Sequence, residues 1–174
     1  MNNFAHLLLG KDRRTINKAN TVADLVEDQA SFDELFALLF HHERNLVMRA
    51  ADAVEKVTRK HKEFLVPHKD QILSLLRSAI HIELKWHIAQ LAPRLPNLGS
   101  QELHEVWSIL SYWAQNPNES KIVRVNSLQG LFDMSTSNPA FETSFINILE
   151  TVEHEPIPSL RARIKKLRRL LDHN

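Results

Sequence analysis

Leu46, Ala50, Ala53 and Val57 stand at i, i+4, i+7 and i+11, and the same spacing returns 38 residues later as Leu84, Ile88, Leu91 and Leu95. Two such periods further on it returns again as Leu160, Ile164, Leu167 and Leu171. Between them a shift of 37 aligns Val125, Leu128 and Phe132, with Lys121 in the first place. This spacing puts four side chains on one stripe of an α-helix. A recurrence near 38 residues means stacked helix pairs, because a single hairpin cannot bury its apolar stripe without a neighbour displaced by one period.

Apolar residues follow helical spacing nearly everywhere, and no sustained alternation competes, so the chain is all-α. The pattern predicts ten helical segments in five antiparallel pairs: 4–9 with 13–27, 31–41 with 44–61, 68–79 with 82–95, 100–115 with 119–135, and 140–153 with 159–172. In the second segment Ile16, Ala19, Ala23 and Val26 share a side. Ser31 followed by Glu34 has the form of a capping box opening 31–41. Pro67, Pro96-Asn97 with Gly99, Asn116-Pro117-Asn118, Ser137-Asn138-Pro139, and Pro156 with Pro158 punctuate the rest. Short loops make consecutive helices antiparallel.

At 174 residues the chain is long enough for one domain over 1–174. Its parts are a degenerate N-terminal cap at 1–30, inner repeats at 31–158 and a basic capping helix at 159–174. The absence of Cys removes disulfides, thiolate metal sites and thiol nucleophiles, and fits a reducing compartment. Three glycines supply no phosphate-binding loop or nucleophile elbow. The formal net charge of +1 gives no global pull toward polyanions. The first ten residues lack the basic start and apolar run of a secretory signal, and no stretch reads as a membrane span. The expected location is cytoplasmic, with no membrane partner.

Leu46 to Val57, with Val47-Met48-Arg49-Ala50-Ala51 at its start and a closing aliphatic, resembles the second helix of a HEAT repeat. Leu84 to Leu91 and Ile122 to Leu128 are similar, looser copies. The resemblance covers roughly 31–172 and implies an α-α superhelix, right-handed, of about five pairs of the HEAT or armadillo kind. It also implies that the second helices line a concave face. Such repeats carry an acidic residue before the second helix that bonds to its arginine. Glu43 can serve Arg49 in this way, while His81 and Asn118 hold the equivalent places elsewhere.

Carrying Arg49 through the same shifts gives His87, Arg124 and Arg163; the neighbouring rows hold Lys166, and Lys56 with Arg94. These seven residues are the expected partner-binding set, a basic series along the second helices that suits an acidic peptide or a phosphate backbone. The competing expectation is that each arginine bonds to a loop carboxylate or carbonyl between repeats. The helix 159–172 carries six cations opposite Leu160, Ile164, Leu167 and Leu171, and reads either as a polar terminal cap or as a polyanion-binding surface.

Neither metal nor cofactor is expected. Ten histidines give only Glu83 with His87 and Glu150 with His154 at helical ligand spacing, and His41-His42 cannot share a helical face. A glycosylase-like enzyme of this architecture needs a carboxylate and aromatics in its groove; Asp52, Trp86, Trp107 and Arg124 are the available material. Trp107 and Trp113 sit beside Val106, Ile109 and Leu110 on a first helix, where packing explains them. The sequence therefore points to a non-catalytic interaction module with a protein partner. Nucleic-acid binding is the alternative and a glycosylase a remote one.

Overall fold

A computed structural model describes residues 3–9 and 15–172, with side chains in the second stretch from Lys18 onward. Residues 13 and 14 of the expected segment 13–27, and the side chain of Ile16, lie outside the described residues. Among the described residues there are ten α-helices and no strand. They are α1 Phe4–Leu9, α2 Thr15–Asp24, α3 Gln29–Ala37, α4 Arg44–Thr58, α5 Lys69–Ser78, α6 Ile82–Leu91, α7 Ser100–Gln115, α8 Lys121–Ser137, α9 Glu142–Glu153 and α10 Pro158–Leu171. No helix among these residues is long and apolar enough to cross a membrane. The chain forms two compact units, Met1–Asp70 with Arg94–Pro96, and Gln71–Pro93 with Asn97–Asn174.

In the first unit α4 packs against α1, α2 and α3. Leu46, Ala50, Ala53 and Val57 are all buried, and the small Ala50, Ala51 and Ala53 let neighbouring backbones approach. Helix α3 begins two residues before the expected start. Its N-cap is Asp28, whose carboxylate accepts from the Ser31 amide at 2.8 Å while the Ser31 hydroxyl accepts from the Asp28 amide at 3.2 Å. Ser31 is thus the third residue of the capping box, and Asp28, an equally good cap, opens the helix. Pro67 lies in a 3-10 stretch, Lys62–His68, which leads into α5. There the His68 ring stacks on Phe36 with centroids 4.0 Å apart.

In the second unit the second helices α6, α8 and α10 pack successively on one another, and the first helices α7 and α9 pack together. Trp107 of α7 stacks on Phe141 at 4.2 Å and 8°, so it belongs to the core, as its neighbours in the sequence suggest. Gly130 allows the close approach of α8. A Cβ built there meets the Ala89 carbonyl oxygen at 2.6 Å and Pro93 Cγ at 2.8 Å, so no other residue fits without displacing backbone.

Burial also corrects the repeat register. The stripe of α4 recurs on α6 at the expected shift of 38. On α8 the shift is 40, not 37: Leu84, His87, Ile88, Leu91, Ala92 and Leu95 are answered by Arg124, Ser127, Leu128, Leu131, Phe132 and Ser135, all buried. Lys121 is exposed and never belonged to the stripe. The slip arose because an arginine holds the place of Leu84, and a pattern of aliphatics passes over it.

Candidate functional site

The members of the expected basic series differ in exposure. Arg124 has 0% exposure and His87 1%. At that burial neither side chain is presented to a ligand, which corrects their assignment to a binding ridge. His87 lies against Trp86, with ring centroids 3.4 Å apart. Arg124 donates from Nε to the Ala114 carbonyl at 2.9 Å and from Nη1 to Glu155 at 2.7 Å. The hydrogen bond from Arg124, with the attraction of its charge, holds the Glu155 carboxyl below its ordinary range. Arg163 is half-buried and donates to the Gln129 side chain of α8.

The acidic residues ahead of second helices bond across repeats, not within one. Lys85 of α6 pairs with Glu119 ahead of α8, and Arg124 of α8 with Glu155 ahead of α10. Arg49 donates to the carbonyl of Leu8, in the place foreseen for Glu43. Lys85 also lies over the Trp113 ring, 5.1 Å from its centroid.

Three of the arginines share a task. Arg49 reaches the Leu8 carbonyl in the last turn of α1, Arg94 reaches that of Glu55 in the last turn of α4, and Arg124 reaches that of Ala114 in the last turn of α7. Carbonyls in a helix's last turn lack intrahelical donors and carry the negative end of its dipole, so a guanidinium there satisfies both needs. Arg94 also clamps the buried Glu55 carboxylate at 2.6 Å, with Arg59 on the same group at 2.8 Å. Burial alone would raise the Glu55 carboxyl; the two guanidinium groups outweigh it and hold the carboxyl below its usual range.

Lys56 lies at an accessible place within the first unit. It lines a groove of about 530 Å³ between α2 and the C-terminal end of α4. Ala23, Val26 and Val57 supply the apolar lining, and Arg59 and Lys60 join Lys56 on the cationic side. Asp24 faces them from α2, and His61, bonded to Glu63 at 3.0 Å, closes the end. Lys56 is held by Asp52 one turn earlier at 2.6 Å, and Arg59 by Glu55, so both ammonium and guanidinium groups are oriented. The repeat pattern does not extend to Arg59 and Lys60, because they follow the last aligned apolar residue, Val57. The signal that would have found them is the density of cations in 56–62, just past the helix.

In the second unit Lys166 is exposed on α10, beside Lys165 and Arg169, which are also exposed. The second unit also exposes large apolar side chains at one end. Ile80 (80%) and Ile82 lie at the start of α6, Tyr112 (65%) at the end of α7, and Ile122 at the start of α8. Among the described residues no three His, Asp or Glu side chains converge as a metal site would require. Asp52 is engaged with Lys56, and Trp107 and Arg124 are buried.

No family model matches the chain, and no curated protein does. Solved structures do. An engineered protein superposes with a TM-score of 0.61 at 12% identity, over 98% of this chain and 80% of its own. A computationally designed armadillo repeat protein for modular peptide recognition gives 0.56 at 10% identity, over 98% and 86%. A designed armadillo repeat protein in complex with the peptide (KR)4 gives 0.55 at 12% identity, over 95% and 79%. At these identities the likeness speaks for the fold alone. The fold is an armadillo/HEAT-like helical repeat.

Proposed function

We propose that this armadillo/HEAT-like chain is a non-catalytic protein-binding module, and that the groove between α2 and α4 receives a short acidic segment of its partner. The observation that carries the reading is the groove itself: an apolar lining with three cations, Lys56 and Arg59 held in place by Asp52 and Glu55 and Lys60 in no ion pair among the described residues, with Asp24 as the one carboxylate among the lining residues. Apolar contact gives such a segment affinity, and charge complementarity gives it orientation and speed of association. Lys56 is the direct contact from the expected set. Arg94 acts behind it, fixing Glu55 and through it Arg59. A similar fold is known in complex with (KR)4, which supports peptide recognition by this architecture. The cations here call for a peptide of opposite charge.

The test is a fluorescence-anisotropy titration with labelled octapeptides (Glu-Val)4, (Ser-Val)4 and (Lys-Val)4. The acidic peptide should bind best, and Lys56→Glu with Lys60→Glu should weaken it at least tenfold while the circular-dichroism melt stays in place. Equal binding of all three peptides, or an unchanged affinity in the double variant, overturns the reading.

A further inference from the structure

We propose that the exposed face of α10 is a second, independent binding surface, and that its ligand is the phosphodiester backbone of a nucleic acid. Six of the fourteen residues of α10 are Lys or Arg and none is Asp or Glu. The apolar stripe Leu160, Ile164 and Leu167 is buried within the second unit, which leaves the cations to the outer arc. Arg161, Lys165 and Arg169 follow at i, i+4 and i+8, a straight row with steps of about 6 Å at 1.5 Å rise per residue. Lys166 adds a cation on the other flank of the arc.

Much of this charge is uncompensated. Arg168 is paired with Glu153 at 2.5 Å, and Arg161 donates to a backbone carbonyl, that of Glu155. Lys165, Lys166 and Arg169 form no ion pair among the described residues. A shallow cleft of about 340 Å³ lies on this flank, lined by Arg161, Lys165, Arg168 and Arg169 with Glu153 and Asp172. Four cations against two carboxylates leave the cleft positive.

The face lacks what a protein interface needs. Its exposed apolar side chains are Ala162 and the edge of Leu170, with no aromatic anchor. Protein hot spots are desolvated aromatic, aliphatic or arginine anchors seated in pockets, ringed by contacts that exclude water. A polyphosphate needs none of that, because its affinity comes from counterions released as cations neutralise successive phosphates. Guanidinium forks at Arg161 and Arg169 also match phosphate oxygens in a bidentate manner. A purely cationic terminal cap would explain the charge but requires no ligand, and the experiment separates the two.

A labelled 20-base-pair DNA duplex and an RNA duplex of the same sequence are titrated by anisotropy between 50 and 200 mM NaCl. Three phosphate contacts give a slope of about −2.7 in log affinity against log salt, or roughly a 40-fold loss over that range. Lys165→Ala with Arg169→Ala should weaken binding at least tenfold and cut the slope to about −0.9. The melt should not move, since both side chains are exposed. Equal DNA and RNA affinities identify backbone contact; a preference for one names the source of the phosphates. No duplex binding in the wild-type protein, or equal binding by the double variant, overturns the proposal. Displacement of the duplex by polyglutamate at equal charge concentration also overturns it, in favour of an acidic polypeptide. None of these outcomes depends on the groove in the first unit, which Lys56→Glu with Lys60→Glu tests separately.

Discussion

Arg124→Met should destabilise the protein by about 2–4 kcal/mol. Methionine keeps most of the side-chain volume, so the cost is polar and not a cavity. The guanidinium at 0% exposure supplies the donor to the Ala114 carbonyl, and leaving a buried acceptor unsatisfied costs about 1–3 kcal/mol. Glu155 loses two charge-assisted bonds, but its side chain keeps 27% exposure and recovers part of that energy from water, about 1 kcal/mol remaining. Glu155→Gln alone costs about 2–3 kcal/mol, less than the full penalty for breaking a buried pair because one oxygen still accepts and the site is partly solvated. The two changes together should cost less than their sum, since each removes the same contact. Urea denaturation followed at 222 nm on the four proteins of the cycle measures all three quantities, with the slope m checked for constancy. A loss below about 0.5 kcal/mol for Arg124→Met, the range of ordinary surface substitutions, would refute the structural role argued for this arginine.

Gly130→Ala should lower the melting temperature. The new Cβ meets the Ala89 carbonyl oxygen at 2.6 Å, and overpacking of about 1–3 kcal/mol exceeds the roughly 1 kcal/mol that alanine gains in a helix interior. Acid should destabilise the protein through Glu55 and Glu155, both held below the ordinary carboxyl range when folded. Their contribution is present in full above the unfolded value, about 4.3, and is lost as pH falls through the folded values. Urea midpoints measured from pH 7 to pH 3 should fall only at the acidic end, and Glu155→Gln should flatten that decline.

The stripe of α4 and its copy on α6 were legible in the sequence because the four aligned members of each are aliphatic or alanine. The stripe of α8 was not, since three of its six buried positions are Arg124, Ser127 and Ser135, which read as surface residues. A buried arginine becomes legible only when its acceptors are known, and those lie ten and thirty-one residues away in sequence. The groove was half legible. Lys56 came from the repeat, but Arg59 and Lys60 lie past the last aliphatic, where a periodic pattern has nothing more to say. Helix α3 shows the same limit locally: Ser31 and Asp28 are both good caps, and the choice rests on which backbone amides each reaches.

Place on the repeat, more than charge, decides what a cation does in this fold. Each helix pair ends its first or second helix with carbonyls that have no donor, and the next stretch of chain must supply one. Arg49, Arg94 and Arg124 do so from three different elements, and for that reason none has its guanidinium wholly free for a ligand. Replacing any of them by lysine would keep the charge and lose the fork, so Arg94 could not hold the Glu55 carbonyl and carboxylate at once. Lys60, Lys165, Lys166 and Arg169 are exposed and donate to no helix-end carbonyl among the described residues. Lysine, a mobile point charge on a flexible stem, holds three of those four places and none of the capping ones. The division between arginines that close helices and cations left on the surface is what makes charge reversal informative at Lys56, Lys60, Lys165 and Arg169. The same reversal at Arg124 would set a second carboxylate against Glu155 and report only on folding.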